Sequence, residues 1–91
     1  MGSVLIRYLT SEGVQESILP LQGESTVGDL MRRLATEASG GLQTGSKKVL
    51  EGSSAGFVVV VNGMAIHSRQ GLRTPVADGD TVSIMPLVVG G

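Results

Sequence analysis

Apolar and polar positions change rhythm several times along the chain, and each rhythm predicts an element. Val4-Leu5-Ile6-Arg7-Tyr8-Leu9 is rich in branched and aromatic residues and reads as a strand. Ser11-Glu12-Gly13 signals a turn. Residues 15–21 read as a second strand, and the short gap makes the two a hairpin. Pro20 has no N–H to give to a ladder, which places it at an edge or a bulge. The period then lengthens. Val27, Leu30, Met31, Leu34, Ala35 and Ala38 fall at helical spacing and make one apolar stripe. Thr26 is a suitable N-cap, since its hydroxyl can accept from an exposed amide of the first turn. Asp29 stands in the capping-box position, with a shorter side chain than the usual Glu, and puts negative charge at the positive end of the helix dipole. Gly40-Gly41 is expected to end the helix as a left-handed C-cap.

Residues 42–56 are polar, hold Gly and Ser, and are weakly patterned. They read as a loop with one short helical turn around 46–50. A loop of this length is either a functional segment or a variable insertion. Phe57-Val58-Val59-Val60-Val61 is apolar on both faces, as in a central strand. Asn62-Gly63 is a two-residue hairpin turn, and residues 64–67 return as a short strand. Residues 71–77 form an irregular connection fixed by Pro75, and Asp78-Gly79-Asp80 is a tight turn. Thr81-Val82-Ser83-Ile84-Met85 alternates, with Val82 and Ile84 facing the core. Residues 87–91 carry no regular signal and are expected to extend from the last strand. The order is strand, strand, helix, strand, short strand, strand. That is an α+β pattern: a mostly antiparallel sheet with one helix on its face, the helix crossing between parallel strands.

Composition narrows the function classes. With 91 residues the chain holds one small domain with a modest core. Hydrophobic residues at 41% and charged ones at 16% fit a globular protein rather than a disordered one. The 14 glycines fall mostly in turn-like places. A net charge of −1 gives no basic face for a nucleic acid or an acidic membrane. The absence of cysteine excludes a disulfide framework, a thiolate nucleophile and cysteine-ligated zinc, and is compatible with a reduced, cytoplasmic location. No segment reaches the roughly 18 apolar residues of a membrane span, and the first residues lack a signal-peptide pattern.

Nearly the whole chain resembles a known family, and the last third carries most of the resemblance. The resemblance runs over Val58-Val59-Val60-Val61-Asn62-Gly63, Gly71-Leu72-Arg73-Thr74-Pro75, Asp78-Gly79-Asp80 with Val82, and Ile84-Met85-Pro86-Leu87-Val88-Val89-Gly90-Gly91. Thr26-Val27-Gly28-Asp29-Leu30 fits the family's helix start. Together they are similar to the small subunit of molybdopterin synthase and its sulfur-carrier relatives of thiamine and cysteine synthesis. The fold this implies is β-grasp, or ubiquitin-like: a mixed sheet of four to five strands with one main helix packed on it. Residues 1–87 are then the domain and residues 88–91 an extended reactive tail. Met85-Pro86-Leu87-Val88-Val89 keeps the apolar-Pro-apolar character of the molybdopterin carriers and departs slightly from their usual pattern.

The resemblance also implies a chemistry. A C-terminal carboxylate is a poor electrophile because it is anionic. Adenylation gives it a leaving group, and a persulfide sulfur can displace AMP on the way to a thiocarboxylate. Gly91 is the expected site of both steps. Leu87, Val88, Val89 and Gly90, with Met85 and Pro86, are the expected partner-binding residues. The implied partners are a ubiquitin-activating-type adenylating enzyme that supplies the ATP site, a persulfide sulfur donor, and a synthase subunit that accepts the sulfur. The chain itself has no Walker-type phosphate loop and is expected to bind neither cofactor nor metal. Glycine without Cβ lets the backbone approach another protein closely. Residues 88–91 extended reach on the order of 13 Å at about 3.3 Å each. Without the domain in front of it, a Gly-Gly end would read as a frayed terminus.

Other candidates carry less. His67 is the only histidine and has no identifiable Ser or Asp partner, so a surface position at a strand end is expected. Arg32-Arg33 and Lys47-Lys48 suit either an acidic partner or plain solvation. Phe57 is expected in the core, while Met64 and Met85 are candidates for an exposed docking patch. No nucleophile-base pair or metal constellation points to a free-standing enzyme. A protein modifier conjugated to lysines through Gly91, and an interaction module with a chemically idle tail, remain as alternatives to the sulfur carrier.

Overall fold

The computed structural model describes residues 2–10, 13–51 and 57–86. The chain opens with an antiparallel hairpin of β1 (Ser3–Thr10) and β2 (Gly13–Pro20), in register from Ser3 opposite Pro20 to Thr10 opposite Gly13. Two helices follow, α1 (Val27–Glu37) and α2 (Gly40–Leu50). Then come β3 (Phe57–Val61), the two-residue β4 (Met64–Ala65), two single turns of 3-10 helix at Ile66–Ser68 and Gly71–Arg73, and β5 (Thr81–Pro86). The strands make one mixed sheet in the order β2-β1-β5-β3-β4. β5 runs parallel to β1, with Ile6 opposite Val82, and antiparallel to β3, with Val59 opposite Ile84. The last strand is thus the central one, and β3 lies next to the edge. β2 is at the other edge, where Pro20 is tolerated.

The core lies between the sheet and α1. Val4, Ile6, Val59, Val61, Val82 and Ile84 project from one face of the sheet to meet Val27, Leu30, Met31 and Leu34 of α1. All ten are at most 5% exposed. Each such side chain stabilises the fold by roughly 1.5–3 kcal/mol relative to an exposed one.

α1 begins as its sequence predicts. The Asp29 N–H donates to Thr26 Oγ1 at 3.2 Å. In return the Asp29 carboxylate accepts from the Ser25 N–H at 3.1 Å, one residue earlier than in a standard capping box. That amide holds the Asp29 carboxyl at about 2, well below its ordinary 3.8, with the Arg32 guanidinium the next cause. The connection around Pro75 braces the same end. Val27 N donates to Thr74 O at 2.9 Å, Val76 N donates to Ser25 O at 3.0 Å, and Thr26 bridges Pro75.

Two expectations are overturned. The first concerns Gly40-Gly41, which does not cap α1. That helix ends at Glu37, and Gly40, at φ +64°, opens α2. The second concerns residues 42–56: residues 42–50 belong to an eleven-residue helix and not to a loop, so the sheet carries two helices. The physical reason is close packing by small side chains. Leu42, Gly45, Ser46, Val49 and Leu50 form the inward stripe of α2. A Cβ on Gly45 would stand 3.2 Å from the Phe57 ring, and one on Gly41 would run into the Tyr8 hydroxyl. These glycines let a helix lie close to the sheet, although they read as punctuation. A smaller correction concerns His67. The strand return stops at Ala65, because Ile66 turns inward to 8% exposure and carries His67 into a 3-10 turn.

Candidate functional site

The candidate site is the end of β5, and its position is fixed from the opposite end of the strand. Asp78-Gly79-Asp80 does the fixing. Ser3 N donates to Asp78 Oδ1 at 3.0 Å, and Gly79 N donates to Ser3 O at 2.9 Å. Asp80 Oδ2 accepts from Ala77 N at 2.8 Å, closing the turn on itself. Asp80 Oδ1 accepts from Asn62 Nδ2 at 2.9 Å, and Asn62 Oδ1 accepts from Thr81 N at 2.9 Å. Asn62 and Gly63 both have positive φ, +52° and +87°, as a tight I′ turn needs. The turn before β5 is thereby locked both to the start of β1 and to the β3–β4 turn. Register follows, and with it the direction in which β5 leaves the sheet. The Asn62 role was not singled out in the sequence, where the residue read only as half of a hairpin turn.

At the far end, Met85 pairs with Val58 and Pro86 with Phe57. Met85 is half-buried and Pro86 exposed. Phe57 is also half-buried, and it packs against the core as expected. Leu87, Val88, Val89, Gly90 and Gly91, which carry the expected reactive tail, lie outside the described residues. The structure therefore brings together only the root of the site.

Met85 faces away from the helices, on the second face of the sheet. Leu5, Leu9, Val58 and Val60 share that face and are half-buried, and Val14 and Ile18 on the hairpin are 47% and 73% exposed. In its middle Arg7 Nε lies 2.9 Å from Glu16 Oε2, without the alignment of a hydrogen bond. Both side chains are near half exposed, so the pair contributes little. Met64, the other docking candidate, is 53% exposed on β4.

The basic residues divide into two sets. Arg32 pairs with Asp29 at 2.6 Å, and Arg33 lies 3.3 Å from both Glu24 and Glu37. Arg33 also donates to Pro20 O, tying α1 to the end of the hairpin. Neither is free for a partner. Lys47, Lys48, Arg69 and Arg73 have no carboxylate within ion-pair distance among the described residues. His67 is exposed. Among the described residues no group of three His, Asp or Glu side chains is placed to hold a metal. Nor is any helix among them long and apolar enough to cross a membrane.

Comparison with known proteins supplies the family. The ThiS family model matches residues 6–91. Small archaeal modifier protein 3 of Haloferax volcanii is 35% identical over 69 residues, covering 75% of this chain and 72% of that protein. Among solved structures, the HVO 2177 protein of Haloferax volcanii superposes with a TM-score of 0.71 at 25% identity, covering 99% of this chain and 87% of that one. Small archaeal modifier protein 1 of Methanosarcina acetivorans gives 0.64 at 21% identity, covering 100% and 98%. Urm1 of Trypanosoma brucei gives 0.57 at 18% identity, covering 99% and 96%. The last two likenesses bear on the fold alone, which is β-grasp. The chain belongs to the ThiS family, whose members are small ubiquitin-like carrier and modifier proteins rather than enzymes.

Proposed function

We propose that the chain is a sulfur carrier whose C-terminal Gly91 carboxylate is adenylated and then converted to a thiocarboxylate. The observation that carries this reading is the family match, which runs through residue 91 and so includes the Gly-Gly end. The carboxylate oxygen attacks the α-phosphate of ATP on an activating enzyme of the E1-like kind with which such carriers act, releasing pyrophosphate. The outer sulfur of a persulfide then displaces AMP and forms an acyl disulfide. A thiol attacks that disulfide and frees the thiocarboxylate. This chain has no cysteine, so persulfide and thiol both belong to partners. The carrier contributes β5, fixed at its start by the Asp80 turn, and a tail of residues 88–91 that ends in two glycines. Leu87, Val88, Val89 and Gly90, with Met85 and Pro86 at the root, line the passage into the partner.

For the acceptor of the sulfur we propose molybdopterin synthesis first, on the resemblance of residues 84–91, with cysteine, thiamine or tRNA thiolation as the other acceptors. Removing Gly91 tests the role of the tail. The shortened chain is expected to keep its amide spectrum and to lose all sulfur incorporation. Full incorporation into the shortened chain would contradict the assignment of Gly91.

A second reading is favoured by one observation: the curated relative at 35% identity is named a modifier protein. The same activated Gly91 then passes to lysine side chains. Tryptic peptides from cells that bear Gly91 linked to lysine would establish that use, and it is compatible with sulfur transfer.

A further inference from the structure

A groove of about 220 Å³ opens between the end of α2, the start of β3 and the two 3-10 turns. Val49, Phe57, Ile66 and Leu72 supply its apolar lining, and His67 stands at its margin. The basic residues left without carboxylate partners stand next to these lining positions in the chain. Lys48 precedes Val49, Arg69 lies two residues beyond His67, and Arg73 follows Leu72. Arg69 and Arg73 are exposed, Lys47 is exposed and Lys48 half-buried. The two lysines also answer the negative end of the α2 dipole. Arg73 closes the second 3-10 turn, and neither it nor Arg69 has a carboxylate within ion-pair distance among the described residues.

The charge is asymmetric across the molecule. Glu16, Glu24, Asp29 and Glu37 are all engaged by Arg7, Arg32 and Arg33. Asp78 and Asp80 are engaged in the turn before β5. Among the described residues only Glu51, the C-cap of α2, has no such side-chain partner. The described residues of a second copy of this chain therefore offer few free carboxylates to the groove. Phe57 connects the groove to the candidate site, since it lines the one and pairs with Pro86 at the root of the other.

From these observations we infer that the groove lined by Val49, Phe57, Ile66, His67 and Leu72, whose lining positions are flanked in the chain by Lys48, Arg69 and Arg73, receives an acidic segment, anchored by one apolar side chain, of the protein that handles the tail. The inference rests on the carrier reading for the identity of that protein. Charge sets the encounter and its salt dependence, and the apolar anchor sets the residence. An apolar floor suits a peptide side chain better than a phosphate backbone.

The test uses the full chain, isotopically labelled, titrated with a synthetic peptide that has a single leucine between runs of glutamate. Saturable amide shifts are expected at Val49, Phe57, His67 and Leu72. Affinity is expected to fall steeply between ~0.1 M and ~1 M salt, where the Debye length drops from about 10 Å to about 3 Å. The double variant Arg69→Glu, Arg73→Glu, at exposed positions that leave the fold intact, is expected to bind at least roughly tenfold more weakly. A counterpart peptide with glutamine for glutamate is expected not to bind. Equal binding by the double variant, shifts confined to other faces, self-association of the chain in place of peptide binding, or equal competition by oligothymidylate would each overturn the inference. The carrier reading fails separately, through absence of a thiocarboxylate on the unmodified chain with its activating enzyme.

Discussion

Single residues show how the chain spends its few polar side chains. Asp29 caps α1 through the Ser25 amide and pairs with Arg32, and its carboxyl is held at about 2 against an ordinary 3.8. A depressed folded-state pKa means that the charged form is favoured by folding. The stabilisation is fully present above about pH 4 and is lost as pH falls toward 2. Denaturant melts of Asp29→Asn and the parent chain are therefore expected to differ at neutral pH and to converge as pH falls below that window. A constant difference across it would contradict the cap. Ser46 is the opposite case. It is 0% exposed on α2, and its hydroxyl has no hydrogen-bond partner among the described residues. A buried unsatisfied hydroxyl costs about 1–3 kcal/mol, and alanine is also the better helix former. Ser46→Ala is expected to raise the unfolding free energy by about 1 kcal/mol in urea melts.

Elements differ in how they are held, and so in how they fail. β5 is locked at its beginning by Asp80, which accepts from Ala77 and from Asn62. Asp80→Ala removes both bonds and is expected to cost about 1–2 kcal/mol. Amide exchange at Leu5 and Thr81 is expected to speed up more than exchange in α1, because both amides sit at this junction. Uniform acceleration across the molecule would show that the turn does not act locally. The elements also differ in how plainly the sequence announces them. α1 has strong apolar residues at 27, 30, 31 and 34 and a Thr-Asp cap, and both are where the pattern puts them. β5 and the Asn62-Gly63 turn are equally plain, since alternation and a positive-φ dipeptide are local signals. α2 is not. Its inward stripe pairs Leu42 and Val49 with Gly45 and Ser46, so no apolar moment stands out. It packs mainly against α1, and its Gly41 and Gly45 lie against Tyr8 and Phe57, contacts that no local pattern announces. A stripe counted as small-or-apolar at 42, 45, 46, 49 and 50 would have revealed it.

At the scale of the whole molecule, the fold separates structural duty from chemical duty. The Asp78-Gly79-Asp80 motif, which makes the resemblance persuasive, touches the start of β1 and the β3–β4 turn. It stands at the other end of β5 from the proposed chemistry. What it does is set the register of a central strand, so that Met85 and Pro86 deliver the chain's end from a fixed point. The arginines also resolve only at this scale. Arg32-Arg33 and Lys47-Lys48 look alike in sequence, yet among the described residues the tertiary fold supplies carboxylates to the first pair and none to the second. Arg69 and Arg73, on and after the 3-10 turns, join the second set, since among the described residues neither has a carboxylate within ion-pair distance. The central claim concerns Gly91, and intact mass spectrometry of the full chain reads it directly. After incubation with the cognate activating enzyme, ATP and a persulfide donor, the mass is expected to rise by the exchange of one oxygen for one sulfur. Fragmentation is expected to put the change on Gly91. An unchanged mass, under conditions where the enzyme consumes ATP in the presence of the chain, would contradict the sulfur-carrier account.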